Sequence, residues 1–150
     1  MAESTLRQPK KPEWIKVRPP GGPEYTHLRQ ILRDRHLHTV CEEAHCPNIE
    51  ECWRGGTATM MILGDTCTRG CSFCNVASGK PDGWVDSGEP AKVAEAAKAM
   101  SLTYIVLTMV NRDDLADGGA AHTAQTIAEL KKESPDLLIE VLVGDFQGNR

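Results

Sequence analysis

Thr57-Ala58-Thr59-Met60-Met61-Ile62-Leu63 runs directly into Gly64-Asp65-Thr66-Cys67-Thr68-Arg69-Gly70-Cys71-Ser72-Phe73-Cys74-Asn75-Val76. The first seven residues form a short, uninterrupted apolar run, suited to a strand covered on both faces. The loop that follows carries Cys67, Cys71 and Cys74, with three residues and then two between them. Soft thiolate ligands select iron–sulfur clusters, zinc or Cu(I). A cubane cluster takes four cysteines, so a loop offering three leaves one iron with an open position, where a metal does chemistry. A zinc knuckle is the bland alternative and calls for a fourth Cys or His nearby; none follows before His122.

Downstream of the loop the pattern becomes regular. Pro90 stands where a helix tolerates it at its start, and Val93, Ala96, Ala97 and Met100 form the apolar stripe of that helix. Leu102 to Thr108 reads as a second strand, a helix follows from about Ala120 to Glu133 with Ala124, Ile127 and Leu130 inward, and Leu137 to Val143 reads as a third strand. Strand–helix alternation with short connections predicts parallel βαβ units. The loops at 64–76 and 108–119 both follow strand ends, which is the functional face of β/α barrels. Three strands are too few to close a barrel, so the chain is expected to be the first part of a longer protein.

Upstream, residues 1–23 are rich in Pro and Gly and read as an extended arm anchored by Trp14, Ile15 and Val17. Glu24 to Arg35 has Leu28, Ile31, Leu32 and Arg35 at helical spacing. A second cysteine set, Cys41, Cys46 and Cys52, lies in Thr39 to Trp53 without strong periodicity, and Gly55-Gly56 ends it. Beside the first loop this trio predicts an auxiliary cluster; structural zinc with His38 or His45 as fourth ligand is the alternative. The organisation expected is therefore an extension over 1–56 and a barrel portion over 57–150.

The totals narrow the class. The chain has 150 residues and net charge −4, which argues against nonspecific nucleic-acid binding. Charge is uneven: residues 1–38 hold 8 Lys/Arg against 4 acids, the remainder 9 against 17. No apolar run approaches the ~20 residues of a membrane span, and the N-terminus lacks the apolar core of a secretory signal. Six cysteines then suit a reducing, cytoplasmic setting, where metal or redox roles outrank disulfides. A disulfide-stabilised secreted domain is the rival reading.

The cysteine loop resembles the cluster loop of radical S-adenosylmethionine (SAM) enzymes. Together with Cys41-Glu-Glu-Ala-His-Cys-Pro-Asn-Ile-Glu-Glu-Cys-Trp53 and Asn111-Arg-Asp-Asp-Leu-Ala-Asp-Gly-Gly-Ala120, it resembles the lipoyl synthase family, over about Lys11 to Phe146. That resemblance implies an incomplete radical-SAM barrel and two [4Fe–4S] clusters. One, on Cys67, Cys71 and Cys74, cleaves SAM to a 5′-deoxyadenosyl radical. That radical abstracts hydrogen from carbons 6 and 8 of a protein-bound octanoyl chain. The auxiliary cluster on Cys41, Cys46 and Cys52 donates the two sulfurs. It further implies that the backbone of Phe73 meets the adenine of SAM and that Thr108 neighbours the SAM site. Met109 stands where the family has Ser. Implied partners are octanoylated carrier domains (2-oxoacid dehydrogenase E2 subunits, glycine cleavage H protein) and a donor such as ferredoxin or flavodoxin, with neither nucleic acid nor membrane. In the family a C-terminal serine ligates the auxiliary cluster and later strands complete the substrate site, so turnover by these residues alone is not expected.

The remaining polar features carry weaker readings. Arg112-Asp113-Asp114 is open between holding substrate, salt-bridging within its loop and simple solvation. Gly118-Gly119 is read as a turn opening a helix, with close approach to a ligand as the alternative. His122 is read as a helix-face residue, His27, His36 and His38 as surface residues, and Glu42-Glu43 and Glu50-Glu51 as solvated acids.

Overall fold

The computed structural model describes residue 12 and residues 20–148; the anchors expected at Trp14, Ile15 and Val17 lie outside the described residues. Helix α1 (Pro23–Asp34) opens with Pro at its first position and buries Leu28, Ile31 and Leu32. The amphipathic spacing of the sequence is thus the face that packs, while Arg35 falls just past the last turn. Strand β1 (His38–Thr39), helix α2 (Val40–Glu43) and helix α3 (Ile49–Arg54) follow. Thr39 caps α2 by accepting from Glu42 N at 3.2 Å.

Strand β2 (Thr57–Ile62) is central. Two residue pairs, Thr66–Cys67 (β3) with Ala77–Ser78 (β4), form a small parallel ribbon outside the main sheet. Helix α4 (Glu89–Ala99), strand β5 (Tyr104–Met109), helix α5 (Ala120–Glu133), strand β6 (Leu138–Leu142) and a short 3₁₀ turn at Phe146–Gly148 complete the chain. The main sheet has order β1-β2-β5-β6; β2, β5 and β6 run parallel and β1 is antiparallel. A two-residue antiparallel edge strand thus adds to the three expected. The architecture is mixed α/β with a partial parallel sheet, and among the described residues no helix is long and apolar enough to cross a membrane.

The core explains the pattern. Ala58, Met60 and Ile62 from β2 join Ile105 and Leu107 from β5 beneath α4, α5, α1 and α3. Met61 and Leu63 project to the other face and bury with Val110 against Val40, Cys67, Val76, Val85 and Leu115. This is why β2 reads as unbroken apolar sequence. One correction concerns α5: Ala124 is exposed, and Thr123, Thr126 and Leu130 are its buried residues. The threonine hydroxyls donate back to Gly119 O (3.0 Å) and His122 O (2.9 Å), so burial leaves no hydroxyl unpaired.

Candidate metal centre

Cys67 lies at the end of β3, half-buried, while Cys71 and Cys74 are exposed on the same loop. The ribbon closes the base of that loop, helped by Gly79 N donating to Cys67 O at 2.9 Å. Cys74 N donates to Cys71 O at 3.0 Å, a tight turn that places these two thiols on one tip. Arg69 N donates toward Cys67 Sγ at 3.4 Å, a backbone contact that orients this sulfur.

The loop is fixed from both sides. Thr68 Oγ1 donates to Asn111 O at 2.9 Å and accepts from Asp113 N at 3.1 Å. Arg69 binds Asp113 through Nε and Nη2 (2.8 and 2.7 Å) and Asp145 through Nη1 and Nη2 (2.9 and 2.8 Å). Side-chain hydrogen bonds to the two aspartates push the Arg69 pKa further up. The same guanidinium, followed by Gln147, holds the Asp113 carboxyl well below the usual carboxylate range. Asp145 is lowered to about 2, by Arg69 first and Gln147 N second. One arginine between two cysteine positions thus ties together the loops that follow β2, β5 and β6.

Where β2 enters the loop, Leu63 has φ +70°, a costly conformation for a branched side chain. Its N–H donates to Glu89 Oε2 at 2.7 Å and its carbonyl accepts from Arg112 Nη1 at 3.2 Å. Both charged groups are buried and both are paired. His122 Nε2 lies 2.6 Å from Glu89 Oε2, and Arg112 forks onto Asp114 at 2.9 and 2.8 Å. Arg112 holds Asp114 at a pKa of about 2. Gly119, at φ +90°, gives Leu63 its room: a Cβ there would stand 2.4 Å from Leu63 Cδ1. The glycine pair therefore serves a turn and close packing. The solvated alternative for Arg112 is corrected, and His122, on α5 as expected, also pairs with Glu89; these polar groups hold a strained strand end. A lone His or Arg in a sequence carries no signal for a partner 33 or 49 residues away.

The first trio has different surroundings. Cys41 and Cys46 pack against the main core, and Cys46 N donates to Cys41 O at 3.0 Å. Burial pushes the Cys52 thiol up, and the nearby Cys41 and Cys46 thiols add to it; these sulfurs share one neighbourhood. Asn75 Nδ2 donates to Glu43 O at 2.6 Å, joining this segment to the other cysteine loop. Of the acids expected to be solvated, Glu42 pairs instead with Arg29 and Glu50 with Arg54, both at 2.8 Å, while Glu51 is exposed as expected. His45 engages Glu43 O through Nδ1, and His38 is half-buried in β1 rather than at the surface.

The donor sets can be tested against the groups that thiolates hold. All six cysteines are free thiols. Among the described residues, no group of three or more His, Cys, Asp and Glu is gathered to hold a single metal ion. With Zn–S near 2.3 Å, a zinc ion draws its thiolates to within roughly 4 Å of each other. A cubane carries its cysteines on separate irons and accepts a wider set. Three thiolates in each trio are a soft donor set of the kind that iron–sulfur clusters take. Phe73 is 91% exposed, so packing among the described residues does not account for it. Thr108 is half-buried near the C-terminal end of β5, in register with Met61. Met109, the neighbour of Thr108, receives a long contact from Thr123 Oγ1 at 4.0 Å. Beside these loops a cleft of about 380 Å³ is lined by residues that include Asn111, Asp113, Gly118, Phe146 and Gln147.

Residues 2–46 match the family model for the N-terminal domain of lipoyl synthase of the radical SAM family. Over 139 residues the chain is 63% identical to a lipoyl synthase of Sorangium cellulosum, covering 93% of this chain and 37% of that protein. The lipoyl synthases of Natronomonas pharaonis (55% over 144 residues) and Thermus thermophilus (56% over 139) match equally far, with 46% and 43% of their lengths covered. The chain matches the N-terminal portion of lipoyl synthases. It spans less than half the length of these curated relatives. Because 93% of the chain is aligned, the lipoyl synthase likeness takes in both cysteine trios.

Proposed function

We propose that this chain forms the cluster-bearing first part of a lipoyl synthase, inserting two sulfurs at carbons 6 and 8 of a protein-bound octanoyl group. The observation that carries the reading is the position of the Cys67–Cys74 loop. It leaves the central parallel strand at its C-terminal end and is braced against the loops after β5 and β6. In β/α barrels that end is where chemistry is done, and the chain's relatives carry the lipoyl synthase name. The partial sheet is the first portion of such a barrel, with residues 1–56 as its extension.

Cys67, Cys71 and Cys74 would hold one [4Fe–4S] cluster; Cys41, Cys46 and Cys52 would supply three ligands of a second. Bound there with SAM, the first supplies the radical chemistry that unactivated C–H bonds require, and the second supplies sulfur. The chain's own residues do the positioning. Glu89 and Arg112 fix the peptide at the loop entrance, and Thr68 and Arg69 fix its path. Phe73 stands exposed next to Cys74 in the chain, available through its backbone to an adenine, and Thr108 lies near the C-terminal end of β5. The Asn75–Glu43 bond holds the two cysteine segments together, as sulfur delivery to a substrate between them requires.

The substrates would be octanoylated lipoyl-carrier domains, such as 2-oxoacid dehydrogenase E2 subunits or the glycine cleavage H protein. A ferredoxin- or flavodoxin-like protein would supply electrons. The setting is the reducing cytoplasm, where thiols persist. Anaerobic reconstitution with iron and sulfide, with metal counting and a Mössbauer spectrum, tests the reading. Two clusters are expected, one lost when Cys41, Cys46 and Cys52 become Ala and the other when Cys67, Cys71 and Cys74 do. Tightly bound zinc and no iron would refute it.

A further inference from the structure

The geometry points to Arg69 as a positioning residue for the cluster on Cys67, Cys71 and Cys74, with Asp113 and Asp145 as the anionic pair that sets the charge beside it. The inference rests on the cluster reading above and goes beyond the cysteines themselves.

Arg69 is separated from Cys67 and from Cys71 by a single residue on each side. Its guanidinium makes four hydrogen bonds of 2.7–2.9 Å to two carboxylates on two other loops. Planar, forked pairing of this kind fixes direction as well as distance, which a lysine cannot reproduce. Its own N–H faces Cys67 Sγ, so the orientation of one ligand and the anchoring of the loop belong to the same residue. Gln147 closes the cluster of groups by donating to Asp113 Oδ1 at 3.1 Å through its amide and to Asp145 Oδ1 at 3.0 Å through its backbone. Such supporting hydrogen bonds orient ligands and tune the metal they hold.

The charge count follows from the same contacts. One guanidinium faces two carboxylates, which leaves a net negative charge beside the loop. A negative neighbour disfavours adding an electron to a cluster, so this arrangement holds the reduction potential low. A low potential is what a cluster needs if it is to act as a strong one-electron reductant. Arg112 does not offset this charge, because it is spent on Asp114.

The test uses the full 150-residue chain, reconstituted anaerobically, in three forms: wild type, Asp145→Asn and Arg69→Lys. Far-UV circular dichroism and a thermal melt first establish that each variant folds. Asp145→Asn keeps an acceptor oxygen and removes one charge. Its midpoint potential, followed by electron paramagnetic resonance in a variant without the first cysteine trio, should shift upward, and the shift should shrink as salt is raised. Arg69→Lys keeps the charge and loses the fork. It should lose iron to a chelator about tenfold more readily, within the range that such supporting contacts command. An unchanged potential in Asp145→Asn together with unchanged chelator resistance in Arg69→Lys would overturn the inference while leaving the cluster reading intact. Failure of the wild type to bind iron would overturn both.

Discussion

Cys41 and Cys52 stand on two short helices and Cys46 on the turn between them, against the apolar core, whereas Cys67, Cys71 and Cys74 stand on a loop whose path is held mainly by charged and polar side chains. In the first region the sulfurs are gathered by packing, and burial raises the Cys52 thiol. In the second, two sulfurs face solvent and the loop's path is dictated by Arg69, Thr68, Glu89 and Arg112. The difference separates two ways to build a soft-metal site. A site meant to stay open at one side cannot be enclosed by hydrocarbon, so its geometry has to come from directional hydrogen bonds. A site that can be covered takes its geometry from the core.

The comparison can be broken most directly in the packed region. Trp53, 2% exposed and stacked on Tyr25 with ring centroids 5.4 Å apart, holds α3 to α1. Trp53→Ala should cost about 3–5 kcal/mol in denaturant unfolding and loosen the first trio before the second, as iron counts on each trio variant would reveal. In the polar region, Asp114→Ala strands the buried Arg112. It should cost about 2–3 kcal/mol, below the ~3–5 of a fully enclosed pair, because Asp114 keeps 20% of its side-chain surface. Gly119→Ala is expected to cost about 1–3 kcal/mol through the Leu63 collision and the positive φ.

Acid should weaken the polar region selectively. Asp113, Asp114 and Asp145 have folded pKa values below the ~3.9 of a free aspartate. Their contribution is therefore complete above that value and is lost as pH falls through about 2 for Asp114 and Asp145, and lower still for Asp113. Protection of backbone amides across 64–76, taken relative to their intrinsic exchange rates, should fall as pH drops from about 4 to 2 sooner than protection in α1, and equal falls would remove the contrast. The smallest expected effect is chemical. In the metal-free chain, alkylation mapped by mass spectrometry should reach exposed Cys71 and Cys74 before Cys52, whose raised pKa leaves less thiolate.

The elements with strong periodicity were legible in the sequence. The α5 helix runs from Ala120 to Glu133 as the pattern indicates, and β2, α4 and β5 lie within one or two residues of their expected bounds. Burial along β2 and β5 dictates that pattern, so the signal is local. What was not legible depends on distant partners. β1 is two residues long and exists only because Met60 and Met61 pair with it. The helices α2 and α3 are too short to show a period, and their stability comes from tertiary packing. The Cys67, Cys71 and Cys74 trio stands out by its spacing, and the Cys41, Cys46 and Cys52 trio gains its meaning only beside it. The groups that hold the former, Glu89, His122, Arg112 and Arg69, are recognised only once the chain is folded, because each acts on a residue far away in sequence.

The ribbon in which Thr66 and Cys67 pair with Ala77 and Ser78 closes the cysteine loop at its base through backbone bonds of the chain alone. Closing a loop costs entropy once, and here folding of the polypeptide meets that cost. A cluster held by this loop would rest on a base closed by the chain's own backbone bonds, with Cys71 and Cys74 at its tip. Loading and unloading become events of a folded protein, in contrast to small zinc domains whose metal binding and folding are one transition. Stripping the metal should empty the loop without unfolding the sheet beneath it.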